Sequence, residues 1–403
     1  MEILKQTSNS AISTNYTTSN NFTFYIIKNK TLSKLTTILP KIFLMLYFQK
    51  IKNRKLFKNL IRVKLAMNTL YETLLIKHNN PNSRLSFSLN GDYLGVSDIK
   101  NSYIFIANPL AKKTFGRQIY MFSSLSTKEV IGNCFSPNTD MFAIGNIDKI
   151  VIHAILTLKL KDAQKKKLEQ KPIFEIAHKN EKFNSFCFSP NGELLVIGGS
   201  VSISFYGVNA FDKKYFKKII TKININKSVN SICYSLNLEF FGCGCDGGKI
   251  IIYGINQEEF IKKPLIENEY KEKDTEGLDK DGTPVKSVCF SSDVKYFAAA
   301  HVLYSVIYGV NTLEDTFGKV IYRINHAQIV NVNCFSYHNC FNNYSVGDST
   351  GCVVTYKLNK DSVKSFGEEI SIKQFKGEIK CLSYSFNNYY MAVGSVSCAD
   401  VLC

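Results

Sequence analysis

Tryptophan is absent from this chain, although phenylalanine and tyrosine are plentiful at 29 and 22 of 403 residues. Any large ring in a core is therefore Phe or Tyr. Cysteine is common at 12 residues, yet no two stand at CxxC spacing and the six histidines are scattered singly, which excludes a zinc-finger type of site. Also missing are a GxxxxGK[ST] phosphate loop, a GxSxG nucleophile elbow, an HExxH helix and a glycine-rich dinucleotide loop after a strand. The segment CDGGKII at 245–251 carries glycines and a lysine, but Asp246-Gly247-Gly248 reads as the turn of a hairpin. No cofactor, no metal and no catalytic constellation is expected, and the chain is read as a non-enzyme.

Acidic residues and long apolar runs are both scarce at the start. The chain has 50 Lys and Arg against 33 Asp and Glu, for +17, but residues 1–70 hold twelve of the bases and one acid, Glu2. The other 333 residues are nearly balanced, with 38 bases and 32 acids. In the basic segment the longest apolar run is Ile42 to Phe48, bounded by Lys41 and Lys50, far short of the ~20 residues that cross a bilayer. It lies too far from the start for a secretory signal, and the first arginine, Arg54, comes too late for a mitochondrial presequence. Lys50, Lys52, Arg54, Lys55, Lys58, Arg62 and Lys64, interleaved with Ile51, Leu56, Phe57, Leu60 and Ile61, suit a basic helix on an anionic membrane or nucleic acid. A solvated tail or a short helix packed on the rest of the chain fits the same residues. A third reading starts the working protein at Met67, which would leave the ring whole and residues 1–66 outside it. Many cysteines without a signal peptide imply reduced thiols and an intracellular, cytoplasmic or nuclear, place.

What the chain does have is a seven-fold echo. The copy FCFSPNGELLVIGGS at 186–200 is a short apolar strand, a turn at Asn191-Gly192, and a second strand. Related copies put an aromatic before a serine at Phe87, Phe135, Phe188, Tyr234, Phe290, Phe335 and Tyr384, at spacings of 48, 53, 46, 56, 45 and 49. That period is expected of propeller blades. Strands such as KIIIYGI at 249–255 and SVIYGV at 305–310 are apolar nearly throughout, as a sheet covered on both faces requires.

Over residues 71–403 the units resemble WD repeats, the family that builds seven-bladed β-propellers. The family's His is matched by His78, His178 and His326, and its turn Asp by Asp98, Asp246 and Asp348, with Asp148 a looser match. Tyr206, Tyr253, Tyr308 and Tyr356 stand where the family has tryptophan, and a tyrosine still supplies a large ring with a hydroxyl. The resemblance implies an all-β, seven-bladed propeller of four-stranded antiparallel blades and a scaffold that docks other proteins or peptides. The six His and Asp residues are then structural ties that also mark a candidate interaction face. Phosphoinositide-binding propellers carry a paired-arginine motif, and no Arg-Arg occurs here.

The last unit ends in SVSCADVLC at 395–403, which allows a third strand but no fourth. Residues 73–77, in YETLLIKH at 71–78, are expected to add to that blade and clasp the ring. The domains are thus an extension, 1–70, and a propeller, 71–403. Cys134, Cys187, Cys233, Cys289 and Cys334 share one position before the strand aromatic and read as small packing groups. Two excursions, 159–171 and 256–283, are expected to project as loops, and the lysines of 211–222 to protect an edge strand.

Overall fold

The computed structural model describes residues 21–29, 71–78, 84–98, 101–107, 116–123, 128, 130–155, 172–177, 181–209, 212, 214–255, 264–269, 282–302, 304–326, 332–338, 343–357, 367–385 and 390–397. Every described strand belongs to a four-stranded antiparallel sheet. Blade I is β3 (Arg84–Phe87), β4 (Tyr93–Ser97), β5 (Asn101–Ile106) and β6 (Gln118–Ser123); blade II is β7 (Val130–Phe135), β8 (Met141–Asn146), β9 (Lys149–Ala154) and β10 (Phe174–Ala177). Blade III is β11 (Phe183–Phe188), β12 (Leu194–Gly199), β13 (Ser202–Gly207) and β14 (Ile219–Asn224); blade IV is β15 (Val229–Tyr234), β16 (Phe240–Cys245), β17 (Lys249–Gly254) and β18 (Pro264–Glu269). Blade V is β19 (Ser287–Phe290), β20 (Tyr296–Ala300), β21 (Tyr304–Gly309) and β22 (Val320–Asn325); blade VI is β23 (Val332–His338), β24 (Asn343–Asp348), β25 (Cys352–Lys357) and β26 (Glu368–Gln374). A further sheet is built from both ends of the chain, in the order β27 (Ile379–Tyr384), β28 (Tyr390–Ser397), β1 (Asn21–Asn29), β2 (Tyr71–His78).

First strands touch one another in succession from β3 through β7, β11, β15, β19 and β23 to β27, and β27 touches β3. The fold is an all-β propeller of four-stranded antiparallel blades. Its middle strands are the core: β12, β13, β16 and β21 are buried at every residue, whereas the fourth strand β14 alternates toward solvent.

Burial on both faces demands small residues where blades meet. Gly95 of β4 faces the Phe142 ring of blade II, where an added Cβ would sit 2.6 Å from Cε2; Gly198 of β12 faces Val229 of blade IV, with 2.7 Å to Cγ1. Cys134, Cys187, Cys233 and Cys289 serve the same purpose, and burial pushes their thiols well up in pKa. They are free thiols, as packing groups should be.

The recurrent serine has a local cause. In the first-to-second-strand turn Ser88, Ser189, Ser235 and Ser291 each donate from Oγ to the Asn or Asp two residues on, at 2.6–2.7 Å. The same Oγ accepts the backbone N–H five residues on, at 2.9–3.0 Å. The turn also needs a left-handed residue at its fourth position. Gly91 and Gly192 supply it freely, but Thr139, Leu238 and Val294 hold φ of 62°, 63° and 55°, which is strained for a side chain with a Cβ.

Four expectations from the sequence are revised. In the sixth unit Tyr337, not Phe335, stands opposite the second strand as Phe290 and Tyr384 do, because the Phe-Ser pair recurs two residues early. A two-residue slip keeps side chains on the same face, so the pattern conceals it. Cys334 accordingly lies opposite Gly347, as Cys381 lies opposite Gly394, and does not share the position of the other four cysteines. The excursion at 256–283 contains a strand, β18. Finally, 71–78 joins the sheet of the final unit as its outer strand, as expected, but not by pairing with that unit's own last strand. β1 intervenes, with Thr23 opposite both Ser395 and Lys77, so the final unit contributes two strands and the start of the chain contributes two. Residues 159–171 and 398–403 lie outside the described residues.

Replacing Val294 by Gly is expected to raise thermal stability by about 1 kcal/mol through relief of the left-handed backbone. Gly198→Ala is expected to lower it by about 1–3 kcal/mol through overpacking against Val229. Denaturant melts of the two variants check both.

Candidate functional site

In blades I to VI the second strand leads by a short turn to the third, and one residue, opposite the start of the first strand, stands at that turn. In blade VI this residue is Asp348: its Oδ1 accepts from the N–H of Thr350 at 3.0 Å and of Cys352 at 2.7 Å, and the Thr350 hydroxyl bonds it too. Asp98 does the same in blade I, accepting from the N–H of Asn101 at 2.7 Å. Both are buried. In blade II the residue is Asn146, which caps Asp148 and Lys149 at 3.0 and 2.8 Å. Asp148 instead pairs with Lys128 at the surface.

Blade IV departs from the expected pattern. Counted from the strand register, Cys245 takes the place of Asp98 and Asp348, and Asp246 falls one residue later, exposed. Its Oδ1 accepts from Asn230 at 2.8 Å. In blade III the place is Gly199, and a carboxylate arrives from elsewhere: Glu181 lies against that glycine, accepts the Ser202 hydroxyl at 2.6 Å and pairs with Lys222 at 2.9 Å. Burial alone would raise the Glu181 pKa, but those hydrogen bonds and the lysine hold it below the ordinary value. Asn146 and Glu181 have no signature in the chain text, since one replaces an acid by its amide and the other reaches in from the preceding loop.

His326 sits at the seam of blades V and VI. Its Nε2 is 2.9 Å from Ser305 Oγ of β21 and its Nδ1 is 3.0 Å from the Tyr356 hydroxyl of β25. The ring also lies 5.2 Å from that of Tyr356. Desolvation lowers its pKa to about 4. A serine and a histidine at this distance match a nucleophile and its base, but Ser305 is wholly buried and His326 is 5% exposed. The histidine thus bridges β21 of blade V and β25 of blade VI.

Tyr206, Tyr253, Tyr308 and Tyr356 occupy one position of the third strand and all are buried. Burial raises the pKa of Tyr206 to about 12 and pushes those of Tyr253 and Tyr356 higher. His153 holds the equivalent place in blade II, its ring 4.4 Å from Phe122, and Phe105 holds it in blade I. Of the six predicted His and Asp residues, Asp98, His326 and Asp348 are buried ties and Asp246 is a surface residue of a turn. His178 and the side chain of His78 lie outside the described residues, as do Lys50, Lys52, Arg54, Lys55, Lys58, Arg62 and Lys64.

Among the described residues no group of three His, Cys, Asp or Glu is placed to hold a metal, and no helix is long and apolar enough to cross a membrane. No family model matches the chain and no curated protein is similar to it.

Because the folded His326 takes a proton only near pH 4 while the unfolded residue does so near 6.5, the unfolded state gains protons first on acidification. Stability is expected to fall by up to about 3 kcal/mol as pH drops from 6.5 to 4. His326→Gln keeps a hydrogen-bonding side chain and should lack that increment in melts run across this window.

Proposed function

We propose that this chain is a seven-bladed propeller of the WD-repeat type that acts as a non-enzymatic scaffold or subunit, docking proteins or peptides through its faces and loops. What supports this most is where the reactive side chains go. The groups that resemble acids, bases and nucleophiles, Asp98, Asp348, Glu181, Ser305 and His326, are consumed by turns and blade seams. The segments between third and fourth strands differ from blade to blade in length and charge. Such variable loops on a rigid frame are where binding is usually carried.

In this reading the seventh blade is the sheet of β27, β28, β1 and β2, and the working ring includes residues 21–29 as well as 71–397. A chain begun at Met67 would lack the third strand of that blade. It is expected to melt well below the full-length chain and to lose a single cooperative transition, which differential scanning calorimetry reads. An unchanged melt would remove β1 from the ring.

The scaffold itself is tested by affinity capture with the full-length chain, followed by reconstitution of the captured complex from purified parts. A specific, saturable complex is the expected outcome; turnover of a small-molecule substrate by the purified chain, lost on Ser305→Ala, would place it among enzymes instead.

A further inference from the structure

Four loops between third and fourth strands close in the same way. The residue that donates its N–H back to the end of the third strand is Gly116 in blade I, bonded to Ile106 at 2.8 Å; Gly318 in blade V, to Gly309 at 2.8 Å; Gly367 in blade VI, to Lys357 at 2.8 Å; and Lys217 in blade III, to Gly207 at 2.8 Å. Each has a left-handed backbone, with φ of 76°, 75°, 78° and 64° in that order. Glycine adopts this conformation freely and lysine does not. Blade III therefore holds a lysine at a strained position that three equivalent loops fill with glycine, and strain of this kind collects at functional positions.

The charge around it differs in the same direction. Blades III and V share this loop shape, down to the bonds Asp212 N to Asn209 O at 3.2 Å and Glu314 N to Asn311 O at 3.1 Å. Yet residues 209–218 carry Lys213, Lys214, Lys217 and Lys218 against Asp212, while residues 311–319 carry Glu314 and Asp315 against Lys319. Lys214, Lys217 and Lys218 are exposed, and among the described residues Lys217 and Lys218 make no ion pair. Ile219, next in the chain, is 49% exposed.

We infer that this loop of blade III is a docking surface for an acidic segment of a partner protein, one that sets carboxylates on Lys214, Lys217 and Lys218 and an apolar side chain on Ile219. This rests on the scaffold reading and adds to it a place and a chemistry. The rings beside the lysines favour an acidic peptide over single-stranded nucleic acid. Lys214 Nζ covers Tyr215 at 4.6 Å, and Lys217 Nζ lies over Phe216 at 5.1 Å and over Phe174 of blade II at 5.7 Å. An ammonium group already lies over each of these rings, which leaves less ring surface for the base stacking that single-strand binding uses.

The test is fluorescence anisotropy with the full chain and a labelled poly-glutamate peptide bearing one leucine, with an oligo-dT strand as the second probe. Wild type is expected to bind the peptide in a salt-sensitive manner. Reversal of three exposed charges, K214E/K217E/K218E, should weaken it roughly tenfold or more, and Lys319→Glu in blade V should leave it unchanged. Lys217→Gly is the decisive variant: its melting temperature should rise by about 1–3 °C as strain is released, while affinity for the peptide falls roughly two- to fivefold. A lower melting temperature would make Lys217 a structural residue, and unchanged peptide affinity would remove it from any surface. Tighter binding of oligo-dT than of the peptide would likewise overturn the proposal. A chain that ignores the peptide but still forms a saturable complex with a captured partner overturns this surface and leaves the scaffold standing.

Discussion

Everything in this ring depends on how closely two sheets can approach. A blade is apolar on both faces and has no stability of its own until each face is covered by a neighbour, so the contact between blades is the core. The rings of Phe142, Phe297 and Phe186 press against the backbone of the preceding blade at Gly95, Gly242 and Gly145, where no Cβ fits. Elsewhere along these second strands Ala143, Ala298 and Ser345 keep the same gap narrow. Large rings on one side and minimal side chains on the other produce the density of a protein interior. The cysteines belong to that scheme. So does the lack of tryptophan, since a tyrosine in the third strand fills the seam while its hydroxyl reaches a partner such as His326.

The hydrogen-bonded corners follow from the same closeness. A turn that ends a buried strand leaves backbone N–H groups without water, and a short carboxylate or amide must take them. Asp98, Asn146 and Asp348 do so from one position, and Glu181 does so from another segment. These short side chains thus hold the backbone of the turns between second and third strands.

How much of this the chain revealed depends on how local each feature is. The blade pattern was legible because its cause is local: the aromatic, the serine and the Asn or Asp of each turn are neighbours in sequence. The sixth unit misled by two residues because alternation cannot distinguish positions two apart, and Asp246 misled by one because aspartate is common in any hairpin. Glu181 was not legible, since Gly199 meets it only in space. The strand at 21–29 has the apolar residues of a strand, but its partners are 395 and 77, and pairing over such separations leaves no mark in a local window. The significance of Lys217 is invisible without its backbone angle, because lysine in a surface loop is ordinary until glycine is seen in the same place three times.

The order of strands in the last sheet also bears on how the chain is made. β1 is made before all of blades I to VI, and one of its two partners, β28, is made after them. Blades I to VI are each built from consecutive segments and can form as synthesis proceeds, but β1 and β2 must wait through all of them as an open hairpin with an unpaired edge. Pairing between strands so far apart in sequence is slow, and an edge left open meanwhile invites the wrong strand. The sheet that joins β1 to β28 can therefore complete only after the six blades between them have been made.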